Sequence, residues 1–315
     1  MSLTYRDRAL EGQTIVLIGG GGFVGRHVAQ AALRAGAKVR IACRNPEKAW
    51  AMQTLGDLGC MDFVRVDVTK PDTVVRAVAD ADAVVNLVGA FAGNLDAVQG
   101  VGVGALAAAA RAAGARAFVH VSAIGADAAS RVPYARTKAE GEAAVLAAFP
   151  TASVLRPSVI FGPDDNFINM FGQMMANLPF LPVFVPAGRL QPVFVDDVAA
   201  GVVAALVDPR GAGGRTFELG GPEVLTMLDL NQRIATAIGR GTRLIPMPDG
   251  LAALFAAVPG TPISMDQIQL LQAGNVANAA LPGLADLGVA ARPLALFLDR
   301  WMARYREHGR FGARR

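Results

Sequence analysis

Cysteine, histidine, tyrosine and lysine are all scarce: two, three, three and four residues in a chain of 315. Two thiols, Cys43 and Cys60, are too few for a disulfide framework, and free cysteines fit a reducing cytosolic or matrix-like compartment. His27, His120 and His308 fall in separate segments, so no Cys/His set has the spacing of a metal site. His27 and His120 read instead as packing or capping residues. Long apolar runs are missing as well. Val198–Val207, between Asp197 and Asp208, is an apolar stretch of about ten residues, half the roughly 20 needed to cross a bilayer, so no transmembrane segment is expected. The start, Met1-Ser2-Leu3-Thr4-Tyr5-Arg6-Asp7-Arg8, is charged and lacks the apolar core of a signal peptide.

What is present is apolar bulk. With 53% hydrophobic and 18% charged residues the chain can bury a large core, which excludes disorder and collagen-like architectures. One large domain or two closely joined ones is the expectation for this length. The net charge of +4 is concentrated at one end. Residues 300–315 hold six arginines and Glu307, leaving 24 basic against 25 acidic side chains in residues 1–299. Nucleic-acid binders need a basic face interleaved with aromatics, so a neutral body predicts no nucleic-acid partner. The terminal Arg300-Trp301-Met302-Ala303-Arg304-Tyr305-Arg306 does interleave the two. It reads either as a contact for anionic lipid headgroups or an acidic partner, or as a solvated, frayed end.

Short β-branched runs alternate with Ala-rich segments through the first half, the pattern of βαβ units closing a parallel sheet. Strands are predicted at Thr14–Ile18, Lys38–Cys43, Asp62–Val66, Ala83–Val88, Ala117–Ser122 and Ser153–Leu155, and helices at Phe23–Ala35, Pro71–Val78 and Val103–Ala113. Pro and Phe cluster from Phe161 to Phe194, and a further strand is predicted at Thr216–Leu219. The fold class is therefore α/β: a Rossmann-type doubly wound parallel sheet over residues 12–165, a smaller C-terminal α/β lobe over 166–299 with strands returning to the main sheet, and a basic tail over 300–315.

The first predicted strand runs into Gly19-Gly20-Gly21-Gly22-Phe23-Val24-Gly25 and then a helix. Glycine permits a tight turn and removes the β-carbon where backbone N–H groups approach a pyrophosphate, and a helix N-terminus adds donors and a positive dipole end. Gly19, Gly22, Phe23, Val24 and Gly25 are the candidate phosphate contacts; a glycine turn in an α/β protein without nucleotide is the alternative. A carboxylate after the second strand would hold an NAD ribose. Here Arg44 stands there, suited to pair with a 2′-phosphate, helped by Arg40 or Lys48. This favours NADPH over NADH. Asp67, after the third strand, is a candidate acceptor for the adenine amino group.

Tyr134-Ala135-Arg136-Thr137-Lys138 sets a phenol and an ammonium four residues apart on one helical face. In a reductase such a lysine lowers the tyrosine pKa and binds the nicotinamide ribose while the tyrosine exchanges a proton with a substrate carbonyl. Alternatively both residues hold the ribose without turnover. Asp196-Asp197 after an apolar strand reads as the acidic first turn of a helix.

Taken in order, Gly19-x-x-Gly22-x-x-Gly25, Asp67-Val68, Val84–Gly89, Tyr134-x-x-x-Lys138, Arg156-Pro157-Ser158-Val159-Ile160-Phe161-Gly162-Pro163 and Pro192-Val193-Phe194-Val195-Asp196-Asp197-Val198 resemble the extended or atypical short-chain dehydrogenase/reductase superfamily. Gly19–Arg26, Tyr134–Glu142, Arg156–Phe167 and the late Leu281–Val289 segment further resemble the nucleotide-binding accessory subunits of respiratory complex I, of the alpha subcomplex subunit 9 type, and their bacterial relatives. The likeness spans roughly residues 12–300. It implies a tightly held NADPH of structural role, contacts to Val68, Val88, Gly89, Pro157 and Ile160, and other complex I subunits as partners. It also implies a peripheral position on the cytoplasmic side of the energy-transducing membrane, in the bacterial cytoplasm or its matrix equivalent. Active members of the superfamily carry a hydroxyl residue before the tyrosine helix. Ser122 is the candidate, followed by Ala123-Ile124-Gly125, and either it polarises the carbonyl or that group is missing. An NADPH-dependent reductase or epimerase-like enzyme acting on a hydrophobic, quinone- or isoprenoid-related carbonyl is the alternative function.

Overall fold

The computed structural model describes residues 8–248, 250, 264–307 and 309. In chain order the elements of the first half are β1 (Thr14–Ile18), α1 (Phe23–Arg34), β2 (Lys38–Cys43), β3 (Met61–Arg65), α2 (Pro71–Val78), β4 (Ala83–Asn86), α3 (Gly102–Ala112), β5 (Ala117–Val121), α4 (Pro133–Ala148) and β6 (Ser153–Pro157). There follow β7 (Ile160–Phe161), α5 (Ile168–Asn177), β8 (Phe180–Val183), β9 (Arg189–Leu190), β10 (Val193–Phe194), α6 (Val195–Val207) and β11 (Thr216–Leu219). The last are β12 (Leu225–Thr226), α7 (Met227–Ile238), β13 (Arg243–Pro246), α8 (Met265–Ala273) and α9 (Ala295–Met302).

Seven parallel strands form the main sheet in the order β11-β6-β5-β4-β1-β2-β3. This is a doubly wound Rossmann-type sheet whose strand order reverses between β1 and β4. Such strands are covered on both faces and so are apolar throughout; every residue of β4 and β5 is buried. Val16, Ile18, Val84 and Phe118 point to one face and pack with Val74 and Val78 of α2, Val103 and Leu106 of α3 and Val145 of α4. Their strand neighbours Ile15 and Leu17 point to the other, where α1 and α6 pack together.

The chain divides into two units at places other than those expected from sequence. The first comprises residues 1–157, 195–219 and 278–290, so the boundary falls at Pro157 rather than at 165. Within 166–299, α6, β11 and the 278–290 segment join the sheet unit. The cause is local: β11 pairs with β6, and Glu218 in β11 accepts a hydrogen bond from Asn278 N–H at 2.7 Å.

One buried charge network braces this unit. Arg156 in β6 meets Glu142 in α4 through two bonds, at 2.9 and 2.6 Å, and reaches Glu218 at 3.4 Å. Both carboxylates are buried. A six-residue π-helical turn, Asp96–Val101, precedes α3 and is absent from the sequence reading. It brings fully buried Gln99 against α4, where its Nε2 donates to Thr137 Oγ1 at 2.8 Å.

The second unit comprises residues 158–194, 220–277 and 291–315. It holds three two-stranded pairings, β10 with β7, β12 with β9 and β13 with β8. Asn275 knits it together: its Oδ1 accepts from Ser158 Oγ at 2.6 Å and Val159 N–H at 2.8 Å, while its own N–H donates to Arg189 O. Phe194, Phe297 and Trp301 stack face to face. The expected tail boundary at 300 is corrected here, because Arg300 and Trp301 lie inside α9. Tyr305 Oη bonds Asn169 Oδ1 at 2.9 Å and Arg304 donates to Pro163 O, so the aromatics of this segment are packing groups. Residues 308 and 310–315 lie outside the described residues, as does His308.

Removing one partner of a buried ion pair strands the other charge, whereas replacing both does not. Arg156→Met alone, which strands both carboxylates, is expected to lower unfolding free energy by about 3 kcal/mol, and Arg156→Met with Glu142→Gln and Glu218→Gln by clearly less. Urea unfolding of the two variants measures the difference.

Candidate functional site

Nearly all candidate residues stand at the carboxyl ends of the parallel strands, where open α/β sheets bind ligands. Gly19 continues β1, with a φ of +78° that side chains rarely adopt, and a Cβ there would lie 3.2 Å from the Leu87 carbonyl carbon. At Gly25, a Cβ would fall 2.2 Å from Gly20 O, so α1 could not pack on the loop. Gly22 differs. Its φ is −85°, and a Cβ would meet nothing nearer than Gly19 O at 3.5 Å. Neither backbone nor packing requires glycine there, whereas a ligand approaching the backbone would. Gly22 caps α1 without a side-chain hydrogen bond, and the first turn, beginning Phe23-Val24, holds no acid. That is the environment of an anion-binding helix N-terminus.

Arg44 is exposed at the end of β2. Asp67, beyond the end of neighbouring β3, has its carboxyl held below the usual range by hydrogen bonds from Thr69, assisted by the charges of Lys70 and Arg44. Arg40 was expected to assist Arg44 and does not. Its guanidinium is tied to Asp62 at 3.2 Å and to the carbonyls of Ala77 and Ala79. Lys48 stands exposed on the 3-10 helix Pro46–Leu55. Val68 is buried, with its carbonyl 3.2 Å from a Cβ built at Gly102. Cys43 lies beside Gly21, and burial pushes its thiol pKa up.

Lys138 is the centre of the other end. It is 3% exposed, and its Nζ donates to Val88 O beyond β4 and Val121 O at the end of β5, each at 3.3 Å. A Cβ at Gly89 would lie 3.4 Å from that Nζ. Two of the three ammonium protons are thus engaged by strand ends. Burial lowers the Lys138 pKa to about 8, opposed by Glu142 one helical turn away. Tyr134 does not follow the expectation that Lys138 lowers its pKa: desolvation pushes the phenol up to about 12, leaving it a proton donor at neutral pH. Ser122 is buried at the end of β5, and its Oγ has no hydrogen-bond partner among the described residues. A buried hydroxyl aimed at no protein group is one that a ligand can satisfy.

His120, fully buried, pairs across the strands with Asn86, whose Nδ2 lies 2.9 Å from His120 Nδ1. Asn86 Oδ1 accepts from Val88 N–H, which assigns the amide as donor to the ring and leaves the proton on Nε2. Burial, then Lys138, lowers the His120 pKa to about 3, so the ring is neutral. His27 bonds Asp196 Oδ1 at 2.5 Å, joining α1 to the acidic first turn of α6. Pro157 ends β6, and its carbonyl accepts from Ile124 N–H. Ile160 lies in β7 of the second unit, paired with Val193. That unit also contains a cavity of about 870 Å³, walled by Val185, Arg189, Met247 and Gln272 among others, that no candidate residue lines. Among the described residues no group of His, Cys, Asp or Glu is placed to hold a metal ion, and no helix is long and apolar enough to cross a membrane.

Gln99, Asn86 and Glu142 were missed by the sequence reading. Glu142 had a signal, its four-residue spacing from Lys138; Gln99 and Asn86 had none, since only tertiary pairing gives them roles.

These residues fit a nicotinamide dinucleotide: a glycine cradle at Gly22, an uncapped helix start, an ammonium with one proton unspent and an orphaned hydroxyl. Such a nucleotide, when bound, supplies a hydride donor or acceptor. Lys138 would hold its ribose, and Tyr134 and Ser122 would hold or move a proton at a ligand oxygen.

Fold and site thus define a dinucleotide-binding α/β protein of the short-chain dehydrogenase/reductase kind. The chain belongs to the NAD dependent epimerase/dehydratase family, whose profile matches residues 15–220. It is 32% identical over 313 residues to the mouse mitochondrial NADH dehydrogenase [ubiquinone] 1 alpha subcomplex subunit 9, covering 95% of this chain and 82% of that one. To the ceramide reductase of Caulobacter vibrioides it is 32% identical over 246 residues, 75% of this chain and 74% of the other. Among solved structures, the triphenylmethane reductase of Citrobacter sp. superposes with a TM-score of 0.75 at 19% identity, covering 92% of this chain and 99% of that one. At that identity the likeness is one of fold.

The buried ammonium has a thermodynamic signature. A lysine with pKa about 8 folded and 10.5 unfolded binds protons more weakly when folded. Its cost to stability is therefore full below about pH 8 and relieved as pH rises toward about 10, where the raised Tyr134 pKa begins to act oppositely. Unfolding free energy of the parent chain is expected to rise between about pH 8 and about pH 10 relative to Lys138→Met, on the order of 3 kcal/mol at most. Guanidinium melts at both pH values measure it; parallel curves contradict the buried ammonium.

Proposed function

We propose that this protein is an NADP(H)-binding accessory subunit of respiratory complex I, with the nucleotide acting as a brace of the fold. The observation that carries this reading is the match to the mouse subunit, 32% identity across 95% of this chain and 82% of that one. Arg44 at the end of β2 favours the 2′-phosphorylated nucleotide, since a guanidinium pairs with phosphate and no acid stands there to receive a ribose hydroxyl. A ligand that binds only the folded state adds RT ln(1 + [L]/Kd), roughly 4 kcal/mol at a thousandfold excess over Kd. In this reading the other complex I subunits are its partners, beside the quinone-site region where the peripheral arm meets the membrane arm. The protein lies peripherally on the cytoplasmic or matrix-equivalent face.

A second reading has its own support. The 32% identity to a ceramide reductase, together with Tyr134, Lys138 and the orphaned Ser122 hydroxyl, favours an NADPH-dependent reductase of a hydrophobic carbonyl.

Nucleotide released from the purified protein is expected to be NADPH or NADP⁺ in equimolar amount. Arg44→Ala should weaken NADPH at least tenfold, about 1.4 kcal/mol, and leave NADH unchanged; equal losses for both contradict the 2′-phosphate role. Native protein migrating only as a free species, absent from complex I fractions, contradicts the first reading. NADPH consumption with hydrophobic carbonyls that vanishes in Tyr134→Phe selects the second.

A further inference from the structure

One contact at this site is used by neither reading. Phe91, in the loop between β4 and the π-helical turn, lies flat on Tyr134, with ring centroids 4.4 Å apart and planes 13° from parallel. Yet Phe91 is 68% exposed. Its outer face is open to a ligand that approaches Tyr134, and an apolar group laid against it would leave water at no polar cost.

The loop is held there. Ala90 N–H donates to Gln99 Oε1 at 3.2 Å, and Gln99 Nε2 donates to Thr137 Oγ1, one turn along α4 from Tyr134. Thr137 in turn donates to Pro133 O at 2.7 Å. The far end of the loop turns at Gly93, with φ of +90°, and Asn94 Oδ1 accepts from Ala97 N–H. Both ends are therefore anchored, one of them to the helix that carries Tyr134.

The chemistry of the loop is uniform. Leu87-Val88-Gly89-Ala90-Phe91-Ala92-Gly93 contains no side chain able to give or accept a hydrogen bond. A polyhydroxylated ligand lying against it would lose water from each hydroxyl and find no side-chain partner, while an alkyl or aryl group would lose only its contact with water. We infer that Phe91 is a specificity-determining residue, whose exposed face selects ligands that present a carbonyl or hydroxyl to Tyr134 on an apolar group and disfavours sugar-like ones. This rests on the reading of Tyr134 and Lys138 as the nicotinamide end of the site, and it holds whether the ligand is reduced or only bound.

The test uses the full chain, loaded with NADP⁺, with methyl nonyl ketone, acetophenone and UDP-glucose as alkyl, aryl and polar probes in titration calorimetry. At least one ketone should bind the parent, weaken about tenfold in Phe91→Ser and recover in Phe91→Leu, with UDP-glucose the weakest probe. The relative strength of the two ketones tells whether chain or ring is preferred. The inference is overturned if UDP-glucose binds the parent as well as the ketones do, if neither ketone binds, or if Phe91→Ser leaves ketone affinity unchanged. A second readout needs no nucleotide. Ultraviolet titration of the Tyr134 phenol, isolated by difference from Tyr134→Phe, should move down toward the ordinary tyrosine value in Phe91→Ser as water reaches the ring, and an unmoved titration overturns the contact. Failure of NADP⁺ to load would instead count against the nucleotide reading, and the phenol titration would still report on Phe91.

Discussion

An ammonium taken out of water must be repaid by oxygen ligands, and that constraint on Lys138 organises the whole carboxyl edge of the sheet. Its two carbonyl partners come from beyond β4 and from the end of β5, so α4 docks only where those two strands end together. The bond to Val88 also fixes the backbone at Gly89, where the loop carrying Phe91 begins. Asn86 reinforces the same point from below, holding Val88 N–H with one side of its amide and the His120 ring with the other. Among the described residues Lys138 has two acceptors for three protons, which leaves one proton suited to a ligand oxygen.

The charge on Lys138 is balanced at a distance. Glu142 lies one turn further along α4, bound through Arg156 to Glu218 and from there to Asn278. Two positive and two negative groups thus share the interior, and the segment containing Leu281–Val289 is anchored to the sheet by the same chain of contacts. A late stretch of sequence that resembles complex I accessory subunits is, physically, a strap over β11 and the network behind the lysine.

Regular elements were legible wherever one local cause decides them. β1, β2, α2 and β11 occupy the residues expected from β-branched runs and from a proline in the first helical turn, and the Tyr134–Lys138 pair falls on one helical face as its spacing requires. The π-helical turn was not legible, because it exists to bring Gln99 to Thr137, a contact 38 residues away. Arg40 was misread for a related reason: one-dimensional proximity to Arg44 ignores that a strand interior directs its side chain onto a sheet face, where Asp62 and the end of α2 take it. Composition at residues 300–306 was read correctly as aromatic and basic, but composition does not say that Trp301 stacks on Phe297. Unit boundaries differ because α6 and residues 278–290 join the sheet unit along with β11, the element whose return to that sheet was expected.

On the function proposed above, the strand ends gathered by Lys138 form the nicotinamide end of a dinucleotide site. The most direct measurement is a crystal structure of the protein with NADPH, reading the neighbours of Lys138 Nζ and of Gly22. Ribose hydroxyls are expected within hydrogen-bond distance of Nζ, with the Val88 and Val121 carbonyls retained, and the pyrophosphate against the backbone of Gly22. A nucleotide seated elsewhere, with Lys138 bonded only to the two carbonyls and the glycine loop unchanged, would contradict it.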